Sequence, residues 1–211
     1  MTARIVVARF HEDLSWISDI ISSLGRPAHV TVYDKSDSDD WDEAWSSSVD
    51  RRVVVENVGR EAETFARFVV DNYAAWSSAP SAAADIVVFL QGNPFDHEAF
   101  RVVEGQVAWA LQQPSSAGVL VLGKLIRDDG MGYPNHPGLP IARSYELLFG
   151  HARSNPTWTF PNGAQYVVPM STLLARPLAF WKDLHAHLFE GRIDPWSMER
   201  LWACVFEFDT R

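Results

Sequence analysis

Glu199 is the carboxylate that the sequence best prepares for acid–base work. It stands in the stretch DPWSMERLW, between Trp196 and Trp202. A glutamate flanked by indole rings is partly desolvated, which raises its proton affinity and suits it to general-base chemistry. The same position also fits an exposed glutamate early in a helix, where it favours the dipole. A second set of groups ends the apolar run IVVFLQGNPFDH: Gln91, Gly92 and Asn93, followed by Asp96 and His97. Ligands of open α/β sheets sit outside the carboxyl ends of strands, so polar residues there are placed to bind. Asp96 serves equally as the N-cap of a following helix. The stretch GREAET then puts Gly59 and Arg60 between a strand and a helix. Helix amides and a guanidinium receive an anion there, or Gly59 makes a tight turn while Arg60 pairs with a carboxylate. Asp34 ends another strand, where it can meet a nucleoside ribose or base.

Other clusters lead to blander readings. DKSDSDD contains Asp34, Asp37, Asp39 and Asp40, and carboxylates suit hard cations. The run lacks the glycine and terminal glutamate of a calcium-binding loop, so it reads as a solvated loop. His185 and His187 lie two apart and on a helix point to nearly opposite sides, so they cannot share a metal. The single cysteine, Cys204 in WACVFEF, reads as a buried thiol and excludes an internal disulfide framework. No Gly-x-Ser-x-Gly elbow or Gly-Lys-Ser/Thr phosphate loop occurs, and the first strand runs into ARFHED rather than a glycine cluster. No metal site is expected.

These groups need elements to hold them. RIVVARF, HVTVYD, RRVVVEN and DIVVFLQ read as short, β-branched strands. Between them come a helix with the stripe Leu14, Ile17, Ile21 and Leu24, capped by Asp13, and one with Ala62, Phe65, Ala66, Val69, Tyr73 and Trp76. A further helix carries Phe100, Val103, Val107 and Leu111. This alternation predicts an α/β fold, a largely parallel central sheet with helices on both faces. In the second half, GVLVLG and AQYVVP read as strands, and RDDGMGYPNHPGLPIARS as a long loop. Helices are expected over 172–190, with Pro177 opening a new one, and from Pro195 to Phe206. One domain of two halves, 1–117 and 118–211, is expected.

The 211 residues carry a formal charge of −9, which argues against nucleic acid, since phosphate backbones call for a basic stripe. No run of about 20 apolar residues suggests a membrane span. The start MTARIVVARF is too quickly polar for a secretory signal. A cytoplasmic location is therefore expected. Nine tryptophans can stack on sugars, but most tryptophans fill cores.

Taken in order, VVARFHEDLSWI, VENVGREAETFARFVVDNY, VVFLQGNPFDH, FPNGAQYVV, RPLAFWKDL and DPWSMERLW resemble domain-of-unknown-function family 3431 over nearly the whole chain. More distantly the chain resembles glycosyltransferases of the GT-A fold. Those open with a strand and helix akin to IVVARFHEDLSWI, carry a second strand ending near an aspartate, and place Asp-x-Asp after a hydrophobic strand. That last position here reads Gln91-Gly92-Asn93. The core-2/I-branching acetylglucosaminyltransferases are similar at GAQYVV and at a late helix bearing a glutamate, although DPWSMERLW matches their Pro-Asp-Glu segment only loosely.

That resemblance implies a GT-A-like sandwich and a metal-independent, inverting transfer of sugar from a nucleotide sugar to a small-molecule or glycan acceptor, with no cofactor. It implies Glu199 as general base and Gln165 near the acceptor. Gln91 and Asn93 would hydrogen-bond sugar hydroxyls, since amides are poor sole ligands for magnesium. A departing diphosphate would then be met by cations, for which Arg9, Arg60, Lys124, Arg127 and Arg143 fall at strand ends or in the long loop. Asp96 and His97 would orient a sugar, or supply the base if Glu199 does not. The loop from Asp128 to Pro140 would close over the donor. Two alternatives stay open: a non-catalytic sugar- or nucleotide-binding module, and another tailoring enzyme on the same fold.

Overall fold

The computed structural model describes residues 2–37, 40–79, 84–96, 100–112, 118–130, 136–155 and 157–206. ARIVVAR forms β1 (Ala3–Arg9), and nearly every position in it is buried. A strand apolar on both faces must lie between two layers, and β1 does. The chain continues through α1 (Ile17–Ser23), β2 (Ala28–Asp34), a 3-10 helix (Glu43–Ser48), β3 (Arg51–Val54), α2 (Arg60–Ser77), β4 (Ile86–Gln91) and α3 (Phe100–Gln112). It then passes through β5 (Leu120–Val121), β6 (Leu125–Asp128), α4 (Ile141–Phe149), β7 (Trp158–Pro161), β8 (Tyr166–Pro169), α5 (Met170–Ala175), α6 (Leu178–Phe189) and α7 (Pro195–Val205).

Six strands form one sheet in the order β3-β2-β1-β4-β8-β5, and β6 pairs with β7 in a separate ribbon. The pairs β1–β2, β1–β4 and β2–β3 are parallel, while β8 runs antiparallel to both β4 and β5. The molecule is thus mixed α/β with a mostly parallel central sheet. Each face has its own core. Val6 and Ala8 of β1 pack with Phe65, Phe89, Leu184 and Trp202 on the side of α2, α6 and α7. Ile5 and Val7 point the other way, toward Leu14 before α1, Ile17 of α1, and Val103 and Val107 of α3. The side chains of Phe100 and Leu111, expected on that α3 face, lie outside the described residues. Trp16, Trp45, Trp76, Trp158, Trp181 and Trp202 are all buried, so most tryptophans fill the core.

Three local readings change. Asp13 does not cap α1. Its carboxylate accepts from Ser15 N at 2.9 Å and Ser15 Oγ at 2.8 Å, bracing the turn before the helix. The expected long loop ends early, because Ile141, Tyr145, Leu148 and Phe149 form a helical stripe that packs on the core. Just before that loop, β6 pairs antiparallel with β7, an unexpected ribbon under α7. Pro177 does separate two helices, standing in extended backbone just before α6. Among the described residues, no helix is long and apolar enough to cross a membrane.

Candidate functional site

Three strand tips reach the same level. The register places Arg9 beside Asp34 and Ala8 beside Gln91, so β1, β2 and β4 end together at one edge of the sheet. From β1 the strand order runs outward to β2 and β3 on one side and to β4 on the other. Such a reversal leaves a crevice between the carboxyl ends of the two central strands, where ligands of open α/β sheets sit. A cavity of about 450 Å³ occupies it. Its wall joins the tip of β1, the Gln91–Gly92–Asn93 turn after β4 and the Gly59–Arg60–Glu61 start of α2, with Glu12, Lys35, Asn57 and Asp96 around the rim.

Two of the three cations in this wall are already committed. Arg9 is 1% exposed and uses every N–H it has. Nε donates to Glu12 O at 2.9 Å, Nη1 to Asp34 Oδ1 at 2.9 Å and Ser36 Oγ at 3.2 Å, and Nη2 to Asp40 O at 3.3 Å, with Asp40 Oδ1 at 3.0 Å. Asp34 is fully buried, and its other oxygen takes Arg52 Nη2 at 2.6 Å. Burial would raise this carboxyl, but Ser36, Arg52 and Arg9 together hold it below its ordinary value. Asp34 therefore positions Arg9 rather than facing the cavity. Lys35 Nζ donates to Val58 O and to Glu63 Oε2, both at 2.6 Å.

Arg60 is different. Its side chain is half exposed, its guanidinium lies 4.2 Å from the Trp196 ring centre, and Nε approaches Glu61 Oε2 only at 3.5 Å. It is also the one non-glycine with positive φ among the described residues, at 51°. A bulky residue there stores backbone strain of about 1–3 kcal/mol, a feature concentrated at ligand sites. Gly59 precedes it with φ 62°, so two left-handed residues in a row turn the chain into α2.

The turn after β4 accounts for its amides. Asn93 Nδ2 donates to Asp96 Oδ1, and Asn93 Oδ1 accepts from Phe95 N at 3.2 Å. Gln165 is buried and donates from Nε2 to Pro94 O at 2.9 Å, while Trp16 Nε1 donates to Gly92 O at 3.1 Å. Asn93, Asp96 and Gln165 thus brace the turn, with Asn93 and Asp96 also on the cavity wall. Gln91 lines the cavity with its amide unengaged among the described residues. A Cβ on Gly92 would collide with the Glu12 carboxylate, so the glycine lets that carboxylate lie across the tip of β4. His97 lies outside the described residues.

Behind Glu61 stands the carboxylate expected to be the base. Glu199 is 7% exposed, on α7, which Asp194 caps by accepting from Trp196 N at 2.8 Å and Ser197 N at 3.3 Å. Glu199 Oε1 accepts from Gly163 N at 3.1 Å and Oε2 from Arg200 Nη1 at 2.5 Å. Arg200 is itself buried against the Phe160 ring and pairs with Asp128. Burial raises the Glu199 carboxyl above its ordinary value against the pull of Arg200, and the Glu61 charge adds to the rise. Burial likewise raises Glu61, with Arg60 opposing. Tyr166, on β8, is pushed up by burial and then by both glutamates. Glu61, Glu199 and Tyr166 therefore feel one another, but of the two glutamates only Glu61 is in the cavity wall.

No protein-family model, curated protein or solved structure matches the chain. The site rests on its own geometry.

The remaining expected residues lie elsewhere. Lys124, Arg127 and Arg143 are exposed and outside the wall of this cavity. Of the glycine-rich loop, 131–135 lie outside the described residues, and His136 stacks on Trp196 with ring centres 4.2 Å apart. Among the described residues, no group of three or more His, Cys, Asp or Glu is arranged to hold a metal. Sequence reasoning missed Glu12, Lys35, Asn57 and Glu61. Lys35 had a signal, since it follows Asp34 at a strand tip, and Glu61 had one as the neighbour of Arg60. Glu12 had none, because its carboxylate comes to the cavity only through the fold of the turn after β1, where it accepts from Phe10 N at 2.6 Å.

Proposed function

We propose that the chain is a GT-A-like glycosyltransferase, which binds a nucleotide sugar in the crevice between the tips of β1 and β4 and transfers the sugar, with inversion and without a resident metal, to a hydroxyl acceptor. The observation that carries this reading is the cavity itself, where the strand order reverses and α2 begins. In this reading the diphosphate lies at the first amides of α2 and against Arg60, the guanidinium with room to turn toward it. Gln91 and Asn57 offer amides to sugar hydroxyls. Arg9 and Lys35 shape the wall and contribute field, since their donors are occupied. The general base is drawn from the buried glutamate pair, Glu61 and Glu199.

A second reading follows from the same census. With Arg9 and Lys35 committed, Arg60 faces Glu12, Glu61 and Asp96, a balance that suits a neutral sugar better than a bare diphosphate. That balance favours a sugar-binding module without catalysis. Thermal unfolding with sugar nucleotides and with free sugars, each in chelator and then in magnesium or manganese, separates the two. Transfer predicts stabilisation by a sugar nucleotide that survives chelator, worth about 2.7 kcal/mol at a hundredfold excess over Kd. It also predicts that Arg60→Ala removes most of that stabilisation. Stabilisation by free sugars alone selects the binding module, and a strict need for the divalent ion overturns the metal-free proposal.

A further inference from the structure

Resting on the sugar-transfer reading, we infer that Glu61 is the catalytic base that takes the acceptor's proton, and that Glu199 is a positioning residue behind it. A base must come within hydrogen-bond reach of the proton it removes. Glu61 meets that condition because it stands in the cavity wall; exposure does not separate the pair, whose side chains are 10% and 9% exposed. Glu199 does not. It is absent from the cavity wall, and each of its oxygens already accepts a hydrogen bond, one from Gly163 N and one from Arg200.

Glu61 is the second residue of α2, next to Arg60. At φ 51°, Arg60 lays its guanidinium over Trp196, and Glu61 stands in the cavity wall. The step balances simply. The acceptor O–H gives its proton to a Glu61 oxygen, and the acceptor oxygen bonds to the anomeric carbon. The bond from that carbon to the phosphate oxygen breaks, and its electron pair leaves on the nucleoside diphosphate. Glu61 then loses its proton to water, and nothing is oxidised or reduced.

The groups facing Glu61 fix how its charge is tuned. Arg60 on its own helix and Lys35 after β2 favour the carboxylate, while burial opposes it. Glu199 from α7 and Tyr166 from β8 complete the surround, and Glu12 and Asp96 stand on the cavity rim. Glu199, held in place by Gly163 and Arg200, is a like charge behind Glu61. The Glu61 charge raises the proton affinity of Glu199, while that of Glu61 is raised by burial.

The test uses the full chain and reads nucleoside diphosphate released from a panel of uridine, guanosine and thymidine diphosphate sugars, with water and with simple monosaccharides as acceptors. Glu61→Gln is expected to lower kcat by about a hundredfold or more, to leave donor KM within about twofold, and to abolish the acidic limb of the kcat–pH profile. Glu199→Gln is expected to keep that limb, because the carboxylate that titrates in it is still present. Glu61→Asp, which keeps a carboxylate on a shorter stem, is expected to restore the limb and part of the rate. Should Glu61→Gln fail to fold, Glu61→Asp decides: wild-type kcat in that variant overturns the inference. Full turnover in a folded Glu61→Gln also overturns it, as does loss of the limb in Glu199→Gln alone. Wild-type protein that neither binds nor turns over any donor sinks the sugar-transfer reading, and Glu61 with it.

Discussion

Glu61 and Glu63 stand two positions apart on α2, and both are shielded from water, yet their carboxyls move in opposite directions. Glu63 is fully buried on the side of α6. It takes Lys35 Nζ at 2.6 Å, Arg67 Nε at 2.6 Å and His185 Nε2 at 2.8 Å. Burial alone would raise it, but those three neighbours hold it down at about 2. Lys35 is also lowered, since on its side burial outweighs Glu63. The carboxylate's direction decides the network, because three donors converge on that one group. On the side of α7, Glu61 has Arg60 beside it and the more distant charge of Lys35, with a second glutamate behind, so burial wins and its proton affinity rises. One flank of the helix is a satisfied charge cluster that stabilises the fold. The other keeps a charge poorly compensated at a cavity, the arrangement found where chemistry is done.

Removing the satisfied partner gives the largest effect. Glu63→Ala leaves Lys35 buried with only the Val58 carbonyl, and breaking a buried pair from one side costs about 3–5 kcal/mol. Chemical denaturation should show that loss with little change in slope. A loss below about 1 kcal/mol would mean the cluster is not the anchor of α2, and the contrast between the two flanks would collapse.

The next effect acts on both flanks at once. A Cβ on Gly59 would sit 2.5 Å from Glu63 Cβ and 3.3 Å from Leu188 O, and φ at this residue is already left-handed at 62°. Gly59→Ala should therefore destabilise by about 1–3 kcal/mol. On the sugar-transfer reading, displacing the start of α2 should also weaken sugar-nucleotide binding. Loss of stability with unchanged donor binding would separate the two flanks, and would place the ligand away from the helix start.

How much of this was legible in the sequence depends on the distance over which each residue is decided. β1, β4 and α2 were readable because their apolar periods are local, and α7 announced itself through Asp194 as cap and Pro195 at the first helical position. The helix Ile141–Phe149 was hidden by the Gly138 and Pro140 before it, which mimic loop composition. Arg60 and Gln91, singled out in the sequence by the strand tip and the helix start, line the cavity. Arg9 and Asp34 also stand at strand tips, yet they face each other across adjacent strands and are spent on one another. No single strand carries that pairing. Glu61 was passed over because neighbouring glutamates at a helix start look alike until the fold brings Lys35 from the end of β2 and His185 from α6 to one of them.

The smallest effect is the one whose sign matters most. Glu63 has a folded value below its ordinary one, so its stabilisation is present above about 4.5 and is lost as pH falls toward about 2. Glu61 has a folded value above its ordinary one. Between those two values the native state holds the proton more tightly than the unfolded chain, so stability falls as pH rises through that window. Glu61→Gln removes a charge that the fold resists, so the variant should melt above the wild type at pH 7. The gain should shrink to nothing near pH 4, where Glu61 in both states of the wild type is largely protonated. Scanning calorimetry at the two pH values measures the difference. A variant less stable than wild type at pH 7 would mean that Arg60 and the helix start compensate Glu61 as fully as Lys35, Arg67 and His185 compensate Glu63. The cavity flank would then be another structural cluster, with no reserve of proton affinity to use.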